Sequence, residues 1–267
     1  MTVDPTLFAA YGALGLVVGF VAGLLGVGGG LIIVPVLIML LHAQGLAAGM
    51  EPQLALGTSL ASILFTSLSS VRAHHRHGAV EWPLLRRIAP GIVLGTLAGA
   101  VLATQMPATV LKVFFVVFLF YAATQMWLDF KPAPHRGLPG RAGTTLAGGV
   151  IGAVSSWVGI GGGTLSVPFM LWHNVPLHRA IATSAAIGFP IALAGAAGYM
   201  LGGWRAADLP AGSLGFVYLP ALAGIVLGSV LTAPLGARTA HRLRVRPLKR
   251  VFALLLFTLA LRMVWTF

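Results

Sequence analysis

Read for its pattern of apolar and polar positions, the chain shows eight long apolar stretches, near 8–42, 53–71, 88–104, 110–128, 144–173, 180–202, 213–236 and 251–267. Polar and basic residues gather between them. A helix of about 20 residues crosses a hydrocarbon layer of about 30 Å, and most of the stretches match that length. The first does not. From Phe8 to His42 a straight helix would run roughly 50 Å at 1.5 Å per residue. Inside it lies the run LLGVGGGLIIVP (24–35), and inside the fifth stretch lies WVGIGGGTLSVP (157–168). Glycine disfavours a helix by roughly 1 kcal/mol relative to alanine. Each run therefore predicts a break within an apolar segment.

The two runs open a longer correspondence. Gly26, Gly28, Gly29, Gly30 and Pro35 align with Gly159, Gly161, Gly162, Gly163 and Pro168. ALGTSLAS (55–62) follows the first run as AIATSAAI (180–187) follows the second, placing Thr58 and Ser59 on Thr183 and Ser184. GIVLGT (91–96) matches GIVLGS (224–229), and LKVFFVVFLF (111–120) resembles LKRVFALLLF (248–257). Four landmarks in one order predict a duplicated chain. The first repeat spans 1–128 and the second 144–267, with the Pro/Gly-rich basic stretch 129–143 as linker. A two-repeat build of this length is typical of secondary transporters.

Composition sharpens the class. The chain has 267 residues, 58% hydrophobic and 8% charged, with a mean hydropathy of +0.94. Soluble domains carry about 25% charged residues, so the expectation is an all-α, multi-pass integral membrane protein. Lys and Arg outnumber Asp and Glu by 17 to 5. Most of the cations lie between the apolar stretches, which fits cytoplasmic loops facing anionic lipid rather than nucleic acid. The opening MTVDPT lacks the basic run of a signal peptide, and the first apolar stretch is read as mature structure. With no cysteine, thiol catalysis and zinc-thiolate sites are excluded.

The cations also orient the repeats. If each glycine-broken segment crossed once, the loop 237–250 would fall on the side opposite Arg72, Arg76, Arg86 and Arg87. If each glycine run is the tip of a hairpin, loops 72–87, 129–143, 174–179 and 237–250 share the cytoplasmic side and only Lys112 and Arg205 lie outside. The positive-inside rule favours the second arrangement. Each repeat is then a discontinuous hairpin plus three transmembrane helices, and the repeats have inverted topology. Whether the hairpins span or re-enter stays open.

Non-helical backbone at membrane depth is tolerated where it is buried in protein or lines a wet cavity. The helix after each glycine run starts near Leu31 or Thr164, with amide groups that lack partners and a positive dipole end. Two such ends brought together make an anion site built of backbone. The candidate substrate-binding residues are Gly28, Gly29, Gly30, Thr58, Ser59, Gly161, Gly162, Gly163, Thr164, Thr183 and Ser184. Two plainer readings stand beside this one: glycines that only let helices pack closely, and hydroxyls that bond back to their own helix. Ser155, Ser156 and Ser166 have no hydroxyl counterparts in the first repeat, which would make the site asymmetric. Gln53 and Asn174 are expected in loops. The acids Asp4, Glu51, Glu81, Asp129 and Asp208 lie at segment ends or in loops, so no intramembrane carboxylate relay is expected. Arg262 is expected to snorkel. His74, His75 and His77 have metal-like spacing but no acid or cysteine beside them, and no metal, cofactor or catalytic residue is assigned.

GLLGVGGGLIIVPVL (23–37), VGIGGGTLSVPFM (158–170) and the A-x-x-T-S segments at 55–59 and 180–184 resemble the TauE/SafE sulfite exporter-like family, along essentially the whole chain. The resemblance implies a secondary transporter of the prokaryotic inner membrane, not an enzyme. It implies sulfite, an organosulfonate such as sulfoacetate, or a related small anion as cargo, often moved outward. Membrane lipids and a second copy of the chain are the other partners expected. A passive anion channel and an uptake permease are the alternatives. No nucleotide-binding G-x-x-x-x-G-K-[ST] loop is present to drive transport by ATP.

Overall fold

The computed structural model describes residues 5–25, 29–76, 78–129, 137–240 and 245–265. Among these residues the fold is all-α apart from one small hairpin. The helices are α1 Pro5–Leu25, α2 Gly30–Ala43, α3 Glu51–Arg76, α4 Trp82–Gln105, α5 Ala108–Leu128, α6 Arg141–Val158, α7 Gly163–Trp172, α8 Leu177–Gly202, α9 Leu219–Ala240 and α10 Val245–Trp265. The expected breaks are present. Helices α1 and α2 divide the first apolar stretch, and α6 and α7 divide the fifth.

Among the described residues, six helices, α1, α3, α4, α5, α8 and α9, are long and apolar enough to cross a membrane. Helices α2 and α7 are apolar but shorter, at 14 and 10 residues. Helix α10 has the length but opens on Arg246, Lys249 and Arg250. The stretch read as 213–236 is shorter as a helix. Ser213–Leu214 and Val217–Tyr218 pair as antiparallel strands β1 and β2 ahead of α9, because Gly212 and Gly215, both at positive φ, turn the chain there. Helix α6 begins at Arg141, inside the stretch read as linker.

Packing crosses between the halves of the sequence. Helix α1 lies along α9, and α6 lies along α4. Small residues allow this. A methyl group on Gly95 would overlap the carbonyl of Gly149, and one on Gly228 would meet the carbonyl of Gly12. Each pair runs parallel: Tyr11 lies beside Gly224 and Phe20 beside Gly236, while Ile88 lies beside Gly148 and Gly99 beside Ala153. Close approach of small residues is what holds helices together where lipid competes for every apolar face.

The centre is formed by α3 and α8, the most buried of the six spans. They cross antiparallel, with Gly57 against Tyr199, Leu60 against Gly195 and Ser67 against Gly188. Two threonines pin the other helices to this pair. Thr58 Oγ1 accepts the Tyr218 amide at 2.9 Å, just ahead of α9. Thr183 Oγ1 accepts the Glu81 amide at 2.9 Å, just ahead of α4. Gln53, expected in a loop, is buried in the first turn of α3 and donates to the Met106 carbonyl at 3.0 Å. Asn174 lies in the turn after α7 at a φ of 63°. At the opposite end from Gln53, Lys249 of α10 pairs with Asp129 at 2.7 Å, and Arg179 pairs with Glu81.

Candidate functional site

The second glycine run forms a turn because two of its residues take conformations that glycine adopts without strain. Gly159 closes α6 at a φ of 69° and Gly162 precedes α7 at 81°, where a side chain would crowd the backbone. Gly29 precedes α2 with ordinary helical dihedrals. Gly28 lies outside the described residues, as does Gly26. Pro35 and Pro168 sit inside α2 and α7, and each removes the bond that the carbonyl four residues earlier would accept.

The two turns meet. A methyl group on Gly30 would overlap the Gly159 carbonyl and come within 3.1 Å of Ile160 Cα. Gly159 faces Val34 of α2 and Leu56 of α3 in turn. Ser59 on α3 fixes the turn from below by donating to the Gly159 carbonyl at 2.8 Å. Gly161 faces Ile63 of α3 and Gly188 of α8. The start of α2 and the start of α7 thus share one region beside the α3–α8 crossing.

Both helix starts carry amides without partners in their own helix. The Gly29 carbonyl accepts from Ile32 and Ile33, and the Gly162 carbonyl from Leu165 and Ser166. The amides of Gly30, Leu31, Gly163 and Thr164 precede those bonds, as the first amides of any helix do. Two side chains at the second turn are also unused. Thr164 Oγ1 and Ser155 Oγ are buried and have no hydrogen-bond partner, with Thr164 6% exposed and Ser155 fully buried. Ser155 Oγ lies 3.8 Å from the point a Gly162 methyl would occupy. A buried hydroxyl without a bond costs roughly 1–3 kcal/mol.

The other predicted hydroxyls are engaged. Thr58 donates to the Leu54 carbonyl at 2.6 Å while accepting from Tyr218. Thr183 accepts from Glu81. Ser166 donates to Ser184 at 2.8 Å, and Ser156 donates to the Ala153 carbonyl at 2.7 Å. Gly29, Gly30, Ser59 and Gly161–Thr164 therefore gather at the junction of the turns. Thr58 and Thr183 instead hold helix starts at opposite ends of the α3–α8 pair. Ser155, like Thr164, has no hydrogen-bond partner, a property no sequence pattern reports.

The region is neutral in side-chain charge and positive in backbone polarity. An α-helix start carries about +0.5 elementary charge, and the donors there are backbone amides and hydroxyls. A carboxylate, sulfonate or other small oxyanion matches that set of donors. The described residues contain no group of three or more His, Asp or Glu side chains that could hold a metal. The histidine run His74, His75 and His77 lies outside the described side chains.

The chain matches the profile of the family described as "Sulfite exporter TauE/SafE" over residues 11–263. It is 36% identical to a "Probable membrane transporter protein" of Haemophilus influenzae, covering 93% of this chain and 95% of that one. It is 28% identical to the "Probable membrane transporter protein YunE" of Bacillus subtilis, over 94% of this chain and 95% of the relative. A probable membrane transporter of Methanocaldococcus jannaschii shares 23% identity over 94% and 92% of the two chains. No solved structure matches the chain.

Proposed function

Because the chain belongs to the sulfite exporter TauE/SafE family and is a membrane transporter, we propose that its cargo is a small sulfur-containing oxyanion, sulfite or an organosulfonate. The anion is held between the starts of α2 and α7 and moved outward across a prokaryotic inner membrane. The observation that carries this reading is the contact of the two glycine turns beside two buried, unpartnered hydroxyls, Thr164 and Ser155. Gly30, Leu31, Gly163 and Thr164 amides, the Thr164 and Ser155 hydroxyls, and the partial positive charge of both helix starts bind it. Gly29, Gly161 and Gly162 shape the turns, and Ser59 and Ser184 support them. Thr58 and Thr183 act one step away, through the helices they hold.

Weak binding by many neutral donors suits a carrier, which must release on the far side what it binds on the near side. With an inside-negative potential, an exported anion gains about 2.3 kcal/mol per charge per 100 mV. No fixed cation is needed in the site to draw it out.

The same proposal includes inverted repeats, 1–128 and 144–267, joined by 129–143. Their support is directional. Thr58 and Thr183 lie near the starts of two antiparallel helices, hence at opposite ends of the pair. Helix α9 starts beside Thr58 and α4 beside Thr183. Helix α1 runs parallel to α9 and α6 parallel to α4, so the two glycine hairpins approach their meeting point from opposite sides.

The test is efflux from proteoliposomes loaded with sulfite or sulfoacetate, with the protein in one orientation. Release quickens when the loaded, cytoplasmic-equivalent side is made negative, and it saturates with concentration. Flux that never saturates would make the protein a channel. Movement of Na⁺ or K⁺ with no response to any oxyanion would overturn the reading.

A further inference from the structure

Besides Thr164 and Ser155, one more helical hydroxyl among the described residues is buried without a hydrogen-bond partner: Thr96 of α4, which is fully buried. A threonine inside a helix ordinarily donates to a carbonyl three or four residues back. Thr104, on the same helix, does so to Val101 at 2.7 Å. Ser229, which holds the matching place in GIVLGS (224–229), does so to Val226 at 3.1 Å. Thr96, at the end of GIVLGT (91–96), leaves its hydroxyl unused.

Glycines surround this hydroxyl. Oγ1 faces Gly152 of α6, where a methyl group would come within 2.6 Å of it, and Cγ2 lies 3.3 Å from the point that a methyl on Gly195 of α8 would occupy. Leu60 of α3 also packs against Gly195. Thr96 thus lies where α4, α6 and α8 meet, with backbone rather than side chains facing it from two of the three helices.

The same two helices carry the contacts of the second glycine turn. On α6, Gly152 precedes Ser155 by three residues, and Ser155 Oγ faces Gly162. On α8, Gly195 follows Ile191 by four residues, and Ile191 also faces Gly162. Residues three and four apart are neighbours on a helix surface, about 5–6 Å between Cβ atoms. Along both helices, Thr96 therefore stands one such step from the turn.

We propose that Thr96 binds a second head of the cargo, which is accordingly a two-headed anion, a sulfonate joined to a carboxylate by a short carbon link. This rests on the anion reading above and narrows it. The sulfonate takes the starts of α2 and α7 with the Thr164 and Ser155 hydroxyls. A compact anion such as sulfite, held there, leaves Thr96 unpartnered. A carboxylate carried one carbon further reaches Thr96, which donates to it through Oγ1. A hydroxyl can donate or accept, and the positive ends of the two helices select a carboxylate over an ammonium as the second head. If Thr96 only filled space between two glycines, valine would replace it with no change in ligand preference.

Titration of the purified full chain with sulfoacetate and with methanesulfonate tests this, because the two differ by the carboxylate alone. The wild type binds sulfoacetate more tightly. Thr96→Val, nearly isosteric, weakens sulfoacetate binding by about tenfold or more, the loss expected for one hydrogen bond to a charged group, and keeps the wild-type affinity for methanesulfonate. Thr96→Ala gives the same selective loss, and Thr96→Ser, which keeps the hydroxyl, binds both as the wild type does. Thermal unfolding without ligand establishes that each variant is folded. Equal wild-type affinities for the two anions, or a Thr96→Val that weakens both alike or neither, overturn the inference and leave the anion reading intact. A wild type that binds none of sulfoacetate, methanesulfonate and sulfite overturns the anion reading, and the second head with it.

Discussion

Replacing Thr164 by valine separates a binding hydroxyl from a structural one, because the two roles predict opposite signs. Thr164 Oγ1 is buried without a partner. Valine has nearly the same shape and removes the unsatisfied oxygen. In the empty protein the substitution recovers part of the roughly 1–3 kcal/mol that an unbonded buried hydroxyl costs. At about 2–4 °C per kcal/mol for chains approaching this size, the melting temperature rises by several degrees. In the loaded protein the same change deletes one hydrogen bond to a charged group, about 1.5–3 kcal/mol, which is roughly 10- to 150-fold in affinity. Thr164→Ser keeps the hydroxyl and stays near wild type in binding. The assay is a pair of measurements on one sample set, thermal unfolding without ligand and sulfite or sulfoacetate binding by titration. A valine variant that is more stable and binds weakly fits the site. One that binds as the wild type does refutes the role given to Thr164, whatever its stability.

Three more predictions follow from the geometry. Gly161→Ala is tolerated, since its methyl meets Ile63 at 3.3 Å and Gly188 at 3.7 Å, whereas Gly162→Ala at a φ of 81° and 2.6 Å from Ile191 destabilises by about 1–3 kcal/mol; equal melting temperatures would deny the turn. Thr183→Val leaves the Glu81 amide without its acceptor and lowers stability by about 1–3 kcal/mol, read by thermal unfolding, and an unchanged transition would mean that water replaces the hydroxyl. Cysteines placed at 86 and 238 react with an impermeant reagent from the same, cytoplasmic side, and labelling from opposite sides would contradict the inverted repeats.

The helical architecture was legible because a membrane leaves few options. Apolar runs of fixed length must be helices, and the two glycine runs marked where two of those segments break. The proposed duplication rests on landmarks that are small residues and hydroxyls, the residue types that helix contacts demand. Packing partners were not. That α1 lies along α9, and α6 along α4, depends on which small faces meet, and GIVLGT carries no mark of its partner. Hydroxyl roles were also hidden. Thr58 and Thr183 read as ligand donors, but the amides that donate to them come from residues 218 and 81, distant in the chain. Ser155 acquires its interest by having no partner, which only the folded protein reveals. The sequence places Glu51 only at a segment end, and its burial appears in the fold.

Selenite offers the most direct test of the central claim, that a small oxyanion binds where the two glycine turns meet. It has the shape and charge of sulfite, and selenium scatters anomalously. Crystals of the full chain grown with selenite should give an anomalous peak within hydrogen-bond reach of the Gly163 and Thr164 amides and the Thr164 hydroxyl, on the side facing Gly30. A peak found only among the basic cytoplasmic loops, in protein that binds selenite in solution, would contradict the account.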